Sequence, residues 1–222
     1  MLDSEEQKIW NLALPFQDKR HDKGHAEVVT YFAQHLLSYF PGERKVIIPA
    51  AILHDAGWSQ MTREEIALFN AMIDRREKDP NMEKVYNPVL RQRHQELGVR
   101  FAKELLEKQK ISKKYIPHIL EIISQHDTRQ GFYSQEDELV RSADRLWRFV
   151  FPSIIMTARK WGWTTQDFIK SEKHNIDKPD FFPNDEIRKI AHLELEHAIK
   201  QAEKMQEELE IAIQEYRREK LN

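Results

Sequence analysis

Apolar residues recur at three- and four-residue spacings along almost the whole chain, with no convincing two-residue alternation and no Asn-Gly hairpin dipeptide. That pattern predicts helices and no sheet. A first helix is expected over about Glu5–Leu14, ending before Pro15. A second starts near His25, places Val28, Val29, Phe32 and Leu36 on one side, and ends before Pro41-Gly42. The third carries "VIIPAAILHD", with Pro49 near its first turn or at a kink and Gly57 placed to end it. Thr62 and Glu65 form a capping box for the next helix, "TREEIALFNAMID". Residues 75–86 read as a polar loop, and Pro88 suits the first turn of a long helix to about Lys110. Ser112 reads as the cap of a helix that ends near Gln125. "HDTRQGFYS" reads as a loop, "QEDELVRSADRLWRFVF" as a helix, and "WGWTT" and "DKPDFFPND" as connectors.

From Asn184 the pattern is helical to the end. Ala191, Leu195, Ala198, Ala202, Met205, Leu209, Ala212 and Tyr216 alternate at spacings of four and three, a heptad seam of rather small residues. The expectation is an all-α protein. Residues 1–160 form one helical bundle, and residues 161–222 supply a connector and a long C-terminal helix. That helix either packs on its own bundle or makes a homodimer contact.

Composition narrows the chemistry. The chain has 222 residues, 40% hydrophobic and 32% charged, enough to bury a core. A formal net charge of −2 gives no basic field for long nucleic acid or an anionic membrane. No apolar run is long enough to span a bilayer, and the acidic start "MLDSEEQKIW" lacks the features of a signal peptide, so a cytoplasmic protein is expected. There is no cysteine, which excludes disulfides, thiolate metal sites and cysteine nucleophiles. Any metal must therefore be held by histidine and carboxylate.

Ten histidines are present. His25 opens the second expected helix and His54-Asp55 closes the third. His94 lies early in a long helix, His126 ends another, and Asp144 lies within "LVRSADRLWRF". Each sits beside an apolar helix face, and most lie near a helix end, where a bundle can converge polar groups. The order His25, His54-Asp55, His94, His126, Asp144 resembles the HD-domain superfamily of metal-dependent phosphohydrolases. The local contexts "RHDKGHAEVV", "AAILHDAG", "HQELGVRFA", "IISQHD" and "SADRL" match as well, over roughly Lys19–Phe149.

The resemblance implies the helical HD bundle and a metal-dependent hydrolase of phosphate esters, acting on nucleotides or other small phosphorylated molecules with metal-activated water. Imidazole with carboxylate suits iron or manganese, with zinc, nickel or magnesium as further options. Six ligands are enough for two ions. His25, His54, Asp55 and Asp144 could hold one and His94 and His126 the other, with Asp55 bridging. Two alternatives share the ligand set: a dinuclear iron oxygenase of the same superfamily, and a non-catalytic ligand-binding module.

Several further residues are candidates. After His126, where one dinuclear branch carries a second histidine, stands Asp127, a general base or a partner for a ligand. Where some members place a phosphate-contacting lysine after the HD pair, this chain offers Trp58. The Gly-Tyr-Pro signature of the cyclic-dinucleotide phosphodiesterases is absent. Arg129 and Arg145 are candidates for gripping phosphate, and Arg91 and Arg93 flank His94. Trp58, Trp147 and Phe132 could form a stacking wall, and Asp22 either orients His25 or caps its helix. His21, His35, His118, His174, His192 and His197 lie outside the motif and read as surface or core.

Overall fold

The computed structural model describes the chain except for residues 18, 20–21, 74–79 and 221–222; for residues 73, 80–86 and 219–220 it describes the backbone alone. His21 and the first part of the expected loop, residues 75–79, lie outside the described residues. Among the described residues the protein is all-α, with ten α-helices and no strand. No helix among them is long and apolar enough to cross a membrane.

The first helix, α1 (Ser4–Ala13), is held at its start by a reciprocal cap between Asp3 and Glu6. The centre of the molecule is α3 (Arg44–Leu53), whose residues Val46 to Leu53 are all buried. That explains the unbroken apolar run "VIIPAAIL": the helix is covered on every side, by α1, α2 (His25–Leu36), α6 (Ile116–Gln125) and α7 (Gln135–Leu146). Pro49 sits inside α3.

A second, smaller apolar cluster joins Trp58, Met61, Phe69, Met72 and Leu90. It lies between the 3-10 turn Ala56–Gln60, α4 (Arg63–Ile73) and α5 (Pro80–Lys108).

The structure departs from the sequence pattern in four places. Helix α5 begins at Pro80, so residues 80–86 are helical rather than loop, and Pro88 lies inside the helix. Pro80 takes the first-turn place expected of Pro88, and the intervening "NMEKVYN" contains no strong helix breaker. Gly57 does not end α3, which stops at Leu53 with His54 as its cap; Gly57 lies in the following 3-10 turn. A Cβ there would stand 1.9 Å from the His94 carbonyl oxygen and 2.6 Å from the Gly98 nitrogen. Its lack of a side chain serves a close approach to α5.

The helix expected to run through "RLWRFVF" stops at Leu146, passes through a 3-10 turn at Trp147–Phe149 and restarts as α8 (Phe151–Lys160) after an extended Val150. Pro152 in its first turn explains the break: it has no N–H to continue the preceding ladder and its ring would clash with the Arg148 carbonyl, whereas a first turn tolerates it. Finally, the stretch between the two connectors is helix α9 (Thr165–Ile176), capped by Thr164.

The last helix, α10 (Asp185–Lys220), starts where expected, with the Asn184 side chain accepting from the Ile187 N–H. Its first half packs on the protein's own core. Ile187, Ala191, Leu195 and Ala198 are buried and belong, with Phe168, Ile176 and Phe182, to the same cluster as Ile9 and Ile52. One core thus continues across residue 160. Further along, Met205, Leu209 and Tyr216 of the seam are exposed.

Candidate metal centre

Six side chains from five helical segments meet at one end of the bundle. His25 is the first residue of α2, and His54 is the C-cap of α3 with Asp55 next in the chain. His126 is the C-cap of α6, and Asp144 lies in the last turn of α7. Helix ends can deliver these polar groups without stranding them in the core. His94 is the exception. With α5 starting at Pro80, it lies mid-helix, and it reaches the others because Gly57 brings the 3-10 turn onto α5.

The ligand atoms sort into two groups, His25–His54–Asp144 and Asp55–His94–His126. In the first, the Nε2 atoms of His25 and His54 are 3.0 Å apart, and Asp144 Oδ1 lies 3.3 Å from one and 3.5 Å from the other. In the second, the Nε2 atoms of His94 and His126 are 3.3 Å apart, and Asp55 Oδ1 lies 3.5 and 3.4 Å from them. The other oxygen of Asp55, Oδ2, faces the first group, 3.3 Å from His25 Nε2 and 3.8 Å from His54 Nε2. One carboxylate therefore spans both groups.

The donor set fits a metal. Nδ1 of His54 is 2.8 Å from the Ala51 carbonyl, and Nδ1 of His126 is 2.9 Å from the Ile123 carbonyl. A carbonyl only accepts, so each Nδ1 carries the proton and each Nε2 presents its lone pair to the centre. The facing rings, His25 and His94, have no hydrogen bond at Nδ1 among the described residues, so their Nε2 atoms can either donate a proton to those lone pairs or join them in holding a metal. These buried histidine and aspartate groups can bind metal ions.

Without one, protons take that role. His25 is pushed up to about 10: burial opposes its charge, but hydrogen bonds with Asp144 and Asp55 outweigh it. His126 rises to about 9 for the same balance, burial against Asp55 and then Asp127. Burial wins at His94, whose pKa is lowered. Asp144 stays well below the carboxylate range, because His25 and His54 overcome the effect of its burial.

Asp127 borders the second group, with Oδ2 3.6 Å from His94 Nε2 and 3.0 Å from Arg91 Nη1. Burial raises its pKa, but Arg91, His126 and His94 hold it down to about 2.

A cavity of about 310 Å³ opens onto the cluster, with His25, Asp55, His126, Asp127 and Asp144 in its floor. Asp22 lines it too. The Asp22 carbonyl accepts the His25 backbone N–H, but His25 Nδ1 has no hydrogen-bond partner among the described residues. Helix α2 is capped by Gly24 with no side-chain bond, so neither role expected of the Asp22 carboxylate is seen.

The other candidates divide. Arg91, Arg145 and Trp147 line the cavity. Arg93 turns away to Glu65. Arg129 does not line the cavity; it bonds Gln125 and Glu121 and lies over the Tyr133 ring. Its proximity to His126 in sequence does not carry into space, because the turn after α6 points it back along that helix. Trp58 is buried behind the floor, where it stacks on His94 with centroids 4.3 Å apart and donates from Nε1 to Asp55 Oδ1 at 3.1 Å. It therefore holds two candidate ligands and lies outside the cavity wall. Phe132 also lies outside the cavity lining, beneath Arg141 and Arg145.

A search of protein families, curated proteins and solved structures finds no match for this chain. The arrangement of its own residues therefore carries the functional reading.

Sequence reasoning missed one wall of the cavity. Ser153, Met156, Thr157, Lys160 and Trp161 all line it. They recur at helical spacing along α8 and its end, a signal present in "PSIIMTARKW" but passed over because the segment falls between the helix expected to end at Phe151 and the connector expected from Trp161.

Proposed function

We propose that the protein is a metal-dependent phosphohydrolase of the HD type, acting on a small phosphorylated molecule such as a nucleotide. His25, His54, Asp55 and Asp144 would hold one divalent ion and His94 and His126 a second, with Asp55 shared. Mixed imidazole and carboxylate ligands suit iron or manganese. The observation that carries the reading is the division of Asp55, with Oδ2 toward His25 and Oδ1 toward His94 and His126. The ordered motif and the convergence in space support it from separate directions.

Bound there, paired ions would draw a nucleophile from water near neutral pH and neutralise charge on the phosphate oxygens. The chain's own groups do the rest. Arg91 reaches the cavity beside the second group and offers a planar guanidinium to a phosphate. Asp127 orients Arg91. A carboxylate held near 2 is a weak proton acceptor, so positioning suits it better than general-base work. Trp58 braces Asp55 and His94 from behind.

The test is to strip the protein, load it with Mn²⁺ without oxygen, and assay phosphate release from monoesters, diesters and pyrophosphates. Oxygen-independent turnover is expected and excludes an oxygenase. Nucleotide binding with no release from the whole panel would leave a ligand-binding module instead. Elemental analysis should find two ions in the wild type, one in His94→Ala and none in Asp55→Ala. A single ion unaffected by His94→Ala sinks the paired site.

A further inference from the structure

The cavity has two chemically different sides. Its floor is the imidazole and carboxylate cluster. Lining the cavity as well are Arg145, Arg148, Lys160, Ser153 and Trp161, from the end of α7, the 3-10 turn after it, and α8 with its C-cap. Four of these five present only hydrogen-bond donors, and the fifth, Ser153, has a hydroxyl that can donate.

Two of the donors are orphans. Ser153 Oγ and Trp161 Nε1 are buried and have no hydrogen-bond partner among the described residues. A buried donor left without an acceptor is costly, so two beside one cavity call for an acceptor that occupies it. An indole N–H cannot accept, which restricts that occupant to an oxygen-rich group.

The charges agree. Among the described residues Arg145 hydrogen-bonds only the carbonyl oxygens of Asp180 and Phe181. Arg148 is fixed by Glu172, 3.2 Å away and itself buried, which aims the guanidinium rather than leaving it mobile.

We infer that this wall, formed by Ser153, Trp161, Lys160, Arg148 and Arg145, is an oxyanion subsite separate from the metal cluster, and that the substrate carries a second anionic group, a phosphate or a carboxylate, which binds there. The inference rests on the proposed hydrolase for what happens at the floor, but the wall binds its anion whether or not turnover occurs. A cavity of about 310 Å³ confines the ligand to a small molecule that spans floor and wall.

Three probes separate the sources of the anion: glycerol 3-phosphate with one oxyanion, glycerol 1,3-bisphosphate with two phosphates, and 3-phosphoglycerate with a phosphate and a carboxylate. Calorimetric titration into Mn²⁺-loaded protein should show at least one two-anion probe binding tenfold or more tighter than glycerol 3-phosphate. Whichever does so identifies the group. Lys160→Gln and Trp161→Phe should each remove most of that preference, while Arg159→Gln, an exposed neighbour on the same helix, should leave it unchanged.

Ser153→Ala separates a binding role from a packing role. It should raise the melting temperature of the ligand-free protein, because an unmet buried hydroxyl is gone, and weaken the two-anion probe severalfold. Equal binding of all three probes, or a preference that survives both Lys160→Gln and Trp161→Phe, overturns the subsite while phosphate release from simple esters can stand. Tight two-anion binding without phosphate release supports the subsite and removes the hydrolase.

Discussion

Asp55 and Trp58 show how single side chains set the centre. Asp55 faces both groups of histidines, and Trp58 both donates to it and stacks on His94. Trp58→Phe removes the indole N–H together with one ring of a buried side chain, keeps an aromatic ring near Phe69, and leaves Asp55 less firmly oriented. Groups that orient ligands are worth about 10–100-fold in metal affinity. Trp58→Phe should therefore weaken Mn²⁺ binding about tenfold, measured by titration calorimetry, and also lower the melting temperature by a few degrees for the lost ring, measured by thermal unfolding. At this scale the motif residues were legible because histidine and aspartate at apolar helix edges stand out. Arg129 was misplaced because nearness in sequence does not tell which way a turn directs a long side chain.

At the scale of elements, the approach of the Ala56–Gln60 turn to α5 brings His94 to Asp55. Gly57→Ala would drive a methyl group to within 1.9 Å of a backbone oxygen, an atom that cannot swing aside. It should destabilise the fold by about 3 kcal/mol, measured by urea unfolding, and lower metal content along with it. The second half of α10 makes the opposite case. Its apolar residues Met205, Leu209 and Tyr216 are exposed, so a chain ending at residue 202 should keep cooperative unfolding and a melting temperature within about 2 °C of the full chain. Helix positions were legible from periodicity, since an amphipathic stripe marks a helix whatever it packs against. The start of α5 was not, because a polar segment between charged residues reads alike as loop or exposed helix. The heptad seam left own-core packing and a partner helix equally open, and burial of Ile187 to Ala198 resolves its first half.

For the molecule as a whole, the buried centre links protons, metal and stability. His25 and His126, at about 10 and 9, hold protons at neutral pH in the metal-free protein. Metal needs their lone pairs, so binding must release protons, and apparent affinity should rise with pH up to about 9 to 10. Titration calorimetry in two buffers of different ionisation enthalpy would count the protons; no buffer dependence would contradict the linkage. The sign reverses for folding without metal. Both histidines have raised values, so their stabilisation is complete below about pH 6.5 and is lost as pH climbs through 9 to 10.

By itself the sequence determined the helical class, because hydrophobic spacing follows the local geometry of the backbone. It also determined the repertoire of ligands, because a chain without cysteine has only imidazole and carboxylate to offer. Tertiary structure alone decided which oxygen of Asp55 faces which histidines, that Asp127 answers Arg91, and that Ser153 and Trp161 bring to the cavity donors with no hydrogen-bond partner among the described residues. Those facts depend on the packing of helices far apart in the chain, and no local pattern encodes how two distant faces meet.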